Sequence, residues 1–277
     1  MCGILVFDIE TYRPDWRNGR TRREKLDPAR NTIITTGVFD GKELSISPLI
    51  RNLEEERRSI DFFMRKLEES RGSTLVGYNI LHFDIPYLVY KSRTIGRNCD
   101  LTRFQPLDLF WILPYWLHNT LDGREFFNEG PRLGNLWKFE DVVKYILREK
   151  ANPFSNFEVL RLWEEKRFDD IEKHLELDLI YTFSFFQSQV VQETLNNLQK
   201  QHLETSNCGD RCPYRQPLQQ TPDTVSYYCT LLRETASEER TLPAIDVIDY
   251  PLPGWDVSWT PQCLGQQLNK TKAGNSR

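Results

Sequence analysis

The stretch GILVFDIET, residues 3–11, contains the first strongly apolar run of the chain. Its short run of Ile, Leu, Val and Phe is typical of a buried β-strand. Side chains two residues apart on a strand point to the same face, so Asp8 and Glu10 project together while Phe7 and Ile9 enter the core. The sequence therefore predicts two carboxylates on one surface where the first strand ends.

A pair of neighbouring carboxylates has few uses in a protein. Like charges held side by side raise each other's pKa unless a cation lies between them, so such pairs share a proton or bind a metal. Hard oxygen ligands favour magnesium or manganese. For this pair taken alone, solvated carboxylates at a strand edge remain an equal alternative, and the other acids of the chain have to decide.

Residue patterns beyond the first strand predict a mixed sheet flanked by helices, an α/β or α+β three-layer domain. The first two strands should be antiparallel neighbours, because the second closes on Asp40-Gly41. The segment Gln105–Leu117, dense in Trp, Phe, Leu and Pro, should be buried. The predicted strands are Gly3–Asp8, Thr32–Phe39, Leu44–Leu49 and Ser73–Tyr78, and the predicted helices are Leu53–Glu69, Asp84–Tyr90, Phe139–Leu147, Phe157–Glu165 and Asp169–Gln201.

Composition divides the chain into a main domain, residues 1–203, and a C-terminal extension, residues 204–277. A hydrophobic content of 39% supports one sizeable core. The extension is rich in Cys, Pro, Gln, Thr and Ser, and its last dozen residues, Gln266–Arg277, should be disordered. The chain has no apolar run long enough for a membrane span and no signal-peptide pattern, so we expect a soluble cytoplasmic protein without a membrane partner.

Two further clusters carry polar residues in apolar surroundings. In GYNILHFDIPYL, residues 77–88, Asp84 and Asn79 flank one turn, although Asp84 is also explained as the N-cap of a helix with Pro86 in its first turn. On the long helix, His174 and Asp178 are four residues apart and share a face, which also fits a simple surface pair.

These three stretches together resemble the Exo I, Exo II and Exo III motifs of the DEDD 3′→5′ exonuclease superfamily, which has an RNase H-like fold. The resemblance runs from residue 4 to about residue 190, and the second stretch is similar to the Exo II segment of family-B DNA polymerase proofreading domains. It implies an RNase H-like domain with a mixed central sheet. The catalytic acids and metal ligands that it implies are Asp8, Glu10, Asp84 and Asp178.

The resemblance also implies a two-metal mechanism with Mg²⁺ or Mn²⁺ that releases nucleoside 5′-monophosphates. Asp8 would bridge the ions, Glu10 and Asp178 would join the ion that carries the attacking water, and Asp84 would serve the other. The expected partners are single-stranded DNA or RNA 3′ ends, and no motif chooses between the two sugars. Asp108 lies where the family often carries another acid, and we expect a structural or supporting role for it.

The third motif departs from the family pattern. The family has Tyr four residues before the final Asp or His five residues before it, whereas His174 stands four residues before Asp178. We predict that His174 orients or deprotonates the attacking water, because a neutral imidazole accepts a proton near pH 7.

A basic loop directly after Glu10 provides phosphate-binding candidates, although the net charge of the chain is −4. Tyr12 and Trp16 could stack on bases, and Thr11 and Asn79 are further substrate-binding candidates. The alternative is a solvated charged loop. Its basic residues are Arg13, Arg17, Arg20, Arg22, Arg23, Lys25 and Arg30.

Cysteines of the extension form a possible structural metal site, for Zn²⁺ or an iron–sulfur cluster, with His202 as another possible zinc ligand. Ordinary free thiols are the alternative, since the spacing is not that of a standard zinc finger. The cysteines are Cys208, Cys212, Cys229 and Cys263.

Two other functions fit the same motifs. One is a catalytically inactive nucleic-acid-binding module that retains the exonuclease fold. The other is a structure-specific nuclease or RNA-processing enzyme that uses the same acids. The sequence does not show whether the chain has a protein partner.

Overall fold

The computed structural model of the chain describes residues 3–18, 27–70, 73–80, 83–97, 99, 105–113, 116, 138–205, 215–220 and 225–229. Its strands are β1 (Ile4–Tyr12), β2 (Thr32–Phe39), β3 (Leu44–Ile46), β4 (Thr74–Gly77), β5 (Gln105–Asp108), β6 (Arg215–Gln220) and β7 (Val225–Cys229). Its α-helices are α1 (Glu56–Glu69), α2 (Asp84–Thr94), α3 (Phe139–Tyr145), α4 (Asn156–Glu164), α5 (Phe168–Gln187) and α6 (Gln189–Thr205).

The first five of these strands form a mixed sheet in the order β3-β2-β1-β4-β5. β1, β2 and β3 pair antiparallel, whereas β4 and β5 run parallel to β1. β1 lies in the middle of the sheet, between β2 and β4. Its apolar run is typical of a strand in a sheet that helices cover on both faces. The α/β fold with a mixed sheet flanked by helices is therefore confirmed, as is the antiparallel pairing of the first two strands.

Two neighbouring residues of β2 show that helices cover both faces of the sheet. Thr36 Oγ1 donates a hydrogen bond of 3.1 Å to the Ser59 carbonyl of α1. Gly37 lies under α5, where a Cβ atom would come within 3.2 Å of the Leu175 side chain. Because successive strand residues point to opposite faces, α1 and α5 lie on opposite sides of the sheet.

The core comprises two clusters of buried side chains. The larger one joins the sheet to α1, α2 and α5 and includes Leu5, Phe63 and Leu179. It also contains Leu107, Leu109, Ile112, Leu113 and Trp116, so these five residues of Gln105–Leu117 are buried as predicted. A smaller cluster packs α4 against the first residues of β2. It includes Ile34, Val159 and Leu162.

The predicted helix Asp169–Gln201 is two helices. Ser188 separates α5 from α6 with an extended backbone, φ −61° and ψ 151°. Its carbonyl accepts a hydrogen bond of 3.0 Å from Gln192 N, so the second helix begins again directly after the break. The apolar spacing continues across Ser188, and for that reason the periodicity alone predicts one helix.

The boundary that we predict near residue 203 falls in the last turn of α6 and remains a prediction. In the extension the structure describes the hairpin β6–β7, while Gln266–Arg277 lies outside the described residues. None of the helices among the described residues is both long and apolar enough to cross a bilayer.

Candidate metal centre

β1 directs Asp8 and Glu10 towards α5. In the antiparallel ladder with β2, Asp8 faces Gly37 and Glu10 faces Thr35. Directly opposed residues share a face of the sheet, and Gly37 marks the face that α5 covers. The other face of β1 packs on α1, where the Phe7 ring lies 5.3 Å from that of Phe63. The predicted alternation of acids and apolar residues on this strand is therefore present.

Asp84 reaches the same place from the start of α2. β1 pairs with β4 only over Ile4–Val6, so the rest of β1 extends past the end of β4. On this extension the Ile9 amide donates a hydrogen bond of 3.1 Å to Asp84 Oδ1. The alternative explanation of Asp84 as a helix N-cap is wrong, because Phe83 occupies that position and Asp84 is the first helical residue. The Asp84 carboxylate instead docks on β1, and the residue is 2% exposed.

α5 contributes His174 and Asp178, which share a face as their spacing predicts. His174 Nε2 lies 3.3 Å from Glu10 Oε1 and 3.5 Å from Asp178 Oδ2. Each of these three side chains offers one potential metal-ligand atom, and the three atoms lie within 4.8 Å of one another. Such a group has the size of a cation site.

Asn152, in the segment before α4, fixes Asp178 and was not found from the sequence. Its Nδ2 donates to Asp178 Oδ1 at 2.9 Å and to the His174 carbonyl at 3.1 Å. Its Oδ1 accepts from the Phe154 amide at 3.2 Å, which orients the side-chain amide. An isolated Asn between two helices has no recognisable motif, so the sequence offers no signal for this role.

The acids of the cluster hold protons more tightly than exposed acids do. Burial and the neighbouring carboxylates raise the pKa values of Asp8 and Glu10 well above their usual range. Burial also raises the pKa of Asp84 to about 7, and that of Asp178 to about 7. After burial, the charge of the Asp84 carboxylate is the largest cause of the raised pKa of Asp8. Crowded acids of this kind are offset by bound cations.

His174 lies inside this cluster as a neutral ring. Burial lowers the pKa of its imidazole to about 4, so the ring is uncharged at pH 7. Neither ring nitrogen has a hydrogen-bond partner among the described residues. Buried acids that need a cation and a buried imidazole with an unused lone pair are a donor set that fits a divalent metal ion.

Asp108 supports the turn that leads to Asp84. Its Oδ1 accepts from the Asn79 amide at 2.6 Å and from the Phe110 amide at 3.1 Å. Asn79 has a left-handed backbone, φ 65°, which Asn tolerates better than most residues. The carboxylate of Asp108 thus holds the chain where β4 ends, in keeping with the structural role expected for it.

The aromatic side chains of the loop after β1 pack on α4. The Tyr12 ring stacks on Trp163 with 5.4 Å between centroids and is 8% exposed. Trp16 Nε1 donates to Glu164 Oε1 at 3.0 Å. This packing leaves little of the Tyr12 ring free to stack on a base. Thr11 is half-buried beside a β-bulge that follows Glu10.

The described arginines of the basic loop are paired with carboxylates. Arg13 pairs with Asp15, and Arg17 Nη2 lies 2.7 Å from Glu164 Oε2. Arg30 Nε lies 3.8 Å from Asp27 Oδ2. Glu164 is far from this loop in sequence, so its neutralising effect was not predicted. Arg20, Arg22, Arg23 and Lys25 lie outside the described residues.

The predicted metal site of the extension is not tested. Cys208, Cys212 and Cys263 lie outside the described residues, and Cys229 is the last residue of β7, opposite Arg215.

Comparisons with known proteins relate this chain to DNA polymerases. Over 98 residues, 34% of the chain, it is 32% identical to DNA polymerase 2 of Aeropyrum pernix, of which the match covers 10%. Its fold is similar to that of the family B DNA polymerase from the hyperthermophilic archaeon Pyrobaculum calidifontis, with a TM-score of 0.55 and 17% identity. That match covers 80% of this chain and 31% of the polymerase. No protein-family model matches the chain.

The chain therefore spans about a third or less of the length of the polymerases that it matches. The similarity at 17% identity concerns the fold. The local sequence similarity adds a distant relationship to a DNA polymerase over the 98 matched residues.

Proposed function

We propose that this protein is a metal-dependent 3′→5′ exonuclease that hydrolyses phosphodiester bonds at single-stranded 3′ ends and releases nucleoside 5′-monophosphates. The observation that carries the proposal is the convergence of four carboxylates, from β1, α2 and α5, on one buried cluster. Ions of magnesium or manganese held there would neutralise the acids, activate a water and stabilise the leaving oxygen. The four acids are Asp8, Glu10, Asp84 and Asp178.

The chain itself holds these acids in place. The Ile9 amide fixes the Asp84 carboxylate, and the Asn152 amide fixes that of Asp178. Groups that are already oriented need little rearrangement during a reaction, which is the main source of electrostatic catalysis. The centre is thus prepared on three separate elements of the main domain.

Differences in exposure suggest the direction from which a substrate approaches. Glu10 and Asp84 are buried, whereas Asp8 and Asp178 are partly exposed. A scissile phosphate would therefore reach the centre on the side of Asp8 and Asp178.

Nucleic acid is the proposed partner because both relatives are DNA polymerases. We assign phosphate and sugar contacts to Thr11, Asn79 and the loop residues Arg20, Arg22 and Arg23. The packing of Tyr12 on Trp163 excludes Tyr12 from this set.

The test is a cleavage assay on 5′-labelled single-stranded DNA and RNA with Mg²⁺ or Mn²⁺. We expect a ladder that shortens from the 3′ end and disappears with EDTA. Asp8→Asn and Asp178→Asn should abolish the ladder, because each keeps its volume and loses a charged ligand. Glu176→Gln is the matched control, since Glu176 lies on α5 but pairs with Lys173 at 2.8 Å.

Shortening that persists in both Asn variants would contradict the proposal. Retention of single-stranded DNA binding without cleavage, in the original protein and in all variants, would favour the inactive binding module instead. A preference for one of the two labelled substrates would identify the sugar.

A further inference from the structure

The least explained group in the centre is the imidazole of His174. It projects from α5 with 1% of the residue exposed. Its Nε2 faces two carboxylates, 3.3 Å from Glu10 Oε1 and 3.5 Å from Asp178 Oδ2, without hydrogen-bond geometry to either. Nδ1 likewise has no hydrogen-bond partner in the part of the chain that the structure describes.

The role of water activation, which the sequence predicts for His174, fits this position poorly. A general base must reach the attacking water, whereas the His174 residue is 1% exposed and its Nε2 lies against the carboxylates of Glu10 and Asp178. This position suits a metal ligand better than a group that collects a proton from water.

We propose that His174 is a direct ligand, through Nε2, of the metal ion held by Glu10 and Asp178, and that it makes this position prefer manganese to magnesium. The inference rests on the proposed function for the presence of an ion. It replaces a catalytic base with a third protein ligand and so changes which cation the centre selects.

The distances agree with shared coordination. Ligand atoms about 2.1 Å from an ion and at right angles to each other lie about 3 Å apart. The two separations from Nε2, 3.3 Å and 3.5 Å, are slightly longer than this value. A neutral imidazole provides the lone pair that coordination requires.

The donor type determines the selectivity. Magnesium binds oxygen almost exclusively and keeps several waters, whereas imidazole nitrogen suits transition-metal ions. A site with two carboxylates and one imidazole should therefore bind Mn²⁺ more tightly than Mg²⁺. The second ion position, between Asp8 and Asp84, has only oxygen ligands among the residues that we assign to it.

Pulsed electron paramagnetic resonance on the full chain loaded with Mn²⁺ tests the assignment without substrate. A nitrogen bonded to manganese gives a hyperfine coupling, and ¹⁵N-histidine labelling changes it in a known ratio. We expect the coupling in the original protein and in His118→Gln, a control at another of the four histidines. His174→Gln and His174→Ala should abolish it.

Calorimetric titration of the same proteins measures the selectivity. Loss of His174 should weaken Mn²⁺ binding by at least the roughly 10–100-fold that loss of an outer-shell partner costs. Mg²⁺ binding should change much less, so the ratio of the two affinities falls. Circular dichroism and the thermal midpoint confirm that the variants are folded, and the Gln variant serves if the Ala variant does not fold.

The outcomes separate this inference from the exonuclease proposal. Mn²⁺ binding without nitrogen coupling, in a protein that cleaves DNA, overturns the ligand role and leaves the exonuclease intact. Nitrogen coupling that depends on His174, in a protein that cleaves neither substrate, supports the ligand role and overturns the exonuclease. An unchanged affinity ratio in His174→Gln overturns the selectivity.

Discussion

At the scale of single residues, the centre depends on side chains that hold acids as much as on the acids themselves. Asn152 is the clearest case, because it donates to Asp178 and to the carbonyl of His174 at once. Ligand orientation by such partners commonly contributes about 10–100-fold in metal affinity.

Asn152→Ala should therefore weaken Mn²⁺ binding by about 10–100-fold while the protein remains folded. Titration calorimetry gives the affinity, and far-ultraviolet circular dichroism checks the fold. Asn196→Ala, at an exposed position of α6, is the matched control and should leave the affinity unchanged. Equal affinities in the two variants would mean that Asp178 needs no support from Asn152.

Residues that obey a local rule could be predicted, and residues that act across the chain could not. The period of two along β1 predicts the common face of Asp8 and Glu10, and the spacing of four on α5 does the same for His174 and Asp178. No local rule connects Asn152 to Asp178, or Arg17 to Glu164, 147 residues away. The docking of Asp84 on Ile9 was likewise missed, because its position also fits an ordinary helix cap.

At the scale of elements, the position of α5 relative to the sheet depends on the missing side chain of Gly37. A Cβ atom at this position would overlap Leu179 Cδ1 and crowd Leu175. Both leucines belong to the helix that carries His174 and Asp178, so a change in the spacing between helix and sheet would move half of the centre.

Gly37→Ala should lower the free energy of unfolding by about 1–3 kcal/mol, the usual cost of overpacking a core. It should also weaken Mn²⁺ binding, since the new methyl group pushes against α5 through Leu175 and Leu179. Urea denaturation and calorimetry measure the two effects.

The control for this change is a double-mutant cycle with Leu179→Ala. Removing the overlapping side chain makes room for the new methyl group, so the double variant should lose less stability than the sum of the single losses. Strict additivity would show that the contact between Gly37 and Leu179 does not set the helix position.

The bounds of helices and strands were predicted well where the apolar spacing of the sequence changes at the end of the element. The strands β1, β2 and β4 and the helices α3 and α4 end within a few residues of their expected bounds. The break at Ser188 was missed because α5 and α6 have the same apolar spacing. A change of backbone direction that leaves the periodicity intact has no signal in the pattern itself.

At the scale of the whole molecule, the clustered carboxyl groups of the candidate metal centre should make the free energy of unfolding depend on pH. The folded carboxyl groups of Asp84 and Asp178 have a pKa of about 7, whereas unfolded aspartate has one of about 3.9. The folded state therefore binds more protons, and its stability decreases as the pH rises between these values. The lowered pKa of His174 has the opposite effect on stability. Stability rises with pH between the folded pKa of about 4 and the unfolded pKa of about 6.5, and above that range His174 adds no further pH dependence.

As the pH rises from about 6.5 through the folded pKa of about 7, the thermal midpoint of the metal-free protein should therefore fall, by about 2–4 °C for each kcal/mol lost. Scanning calorimetry in EDTA measures the slope. Mn²⁺ should remove most of it, because the ion replaces the protons. Asp84→Asn should show a smaller slope, and an equal slope in this variant would contradict the origin of the effect in the centre.

The part of β1 that extends past β4 contains a backbone amide whose exchange rate should report whether a metal ion is bound. The Ile9 amide is protected by a carboxylate instead of a neighbouring strand. A bound cation attracts the same oxygen atoms, so Asp84 becomes a weaker acceptor for that amide. Hydrogen–deuterium exchange at Ile9 should then quicken when the centre is filled, while the amide of Val6, inside the ladder, exchanges at an unchanged rate. Occupancy of the buried centre could thus be followed at one backbone position, without substrate and without a label on the metal.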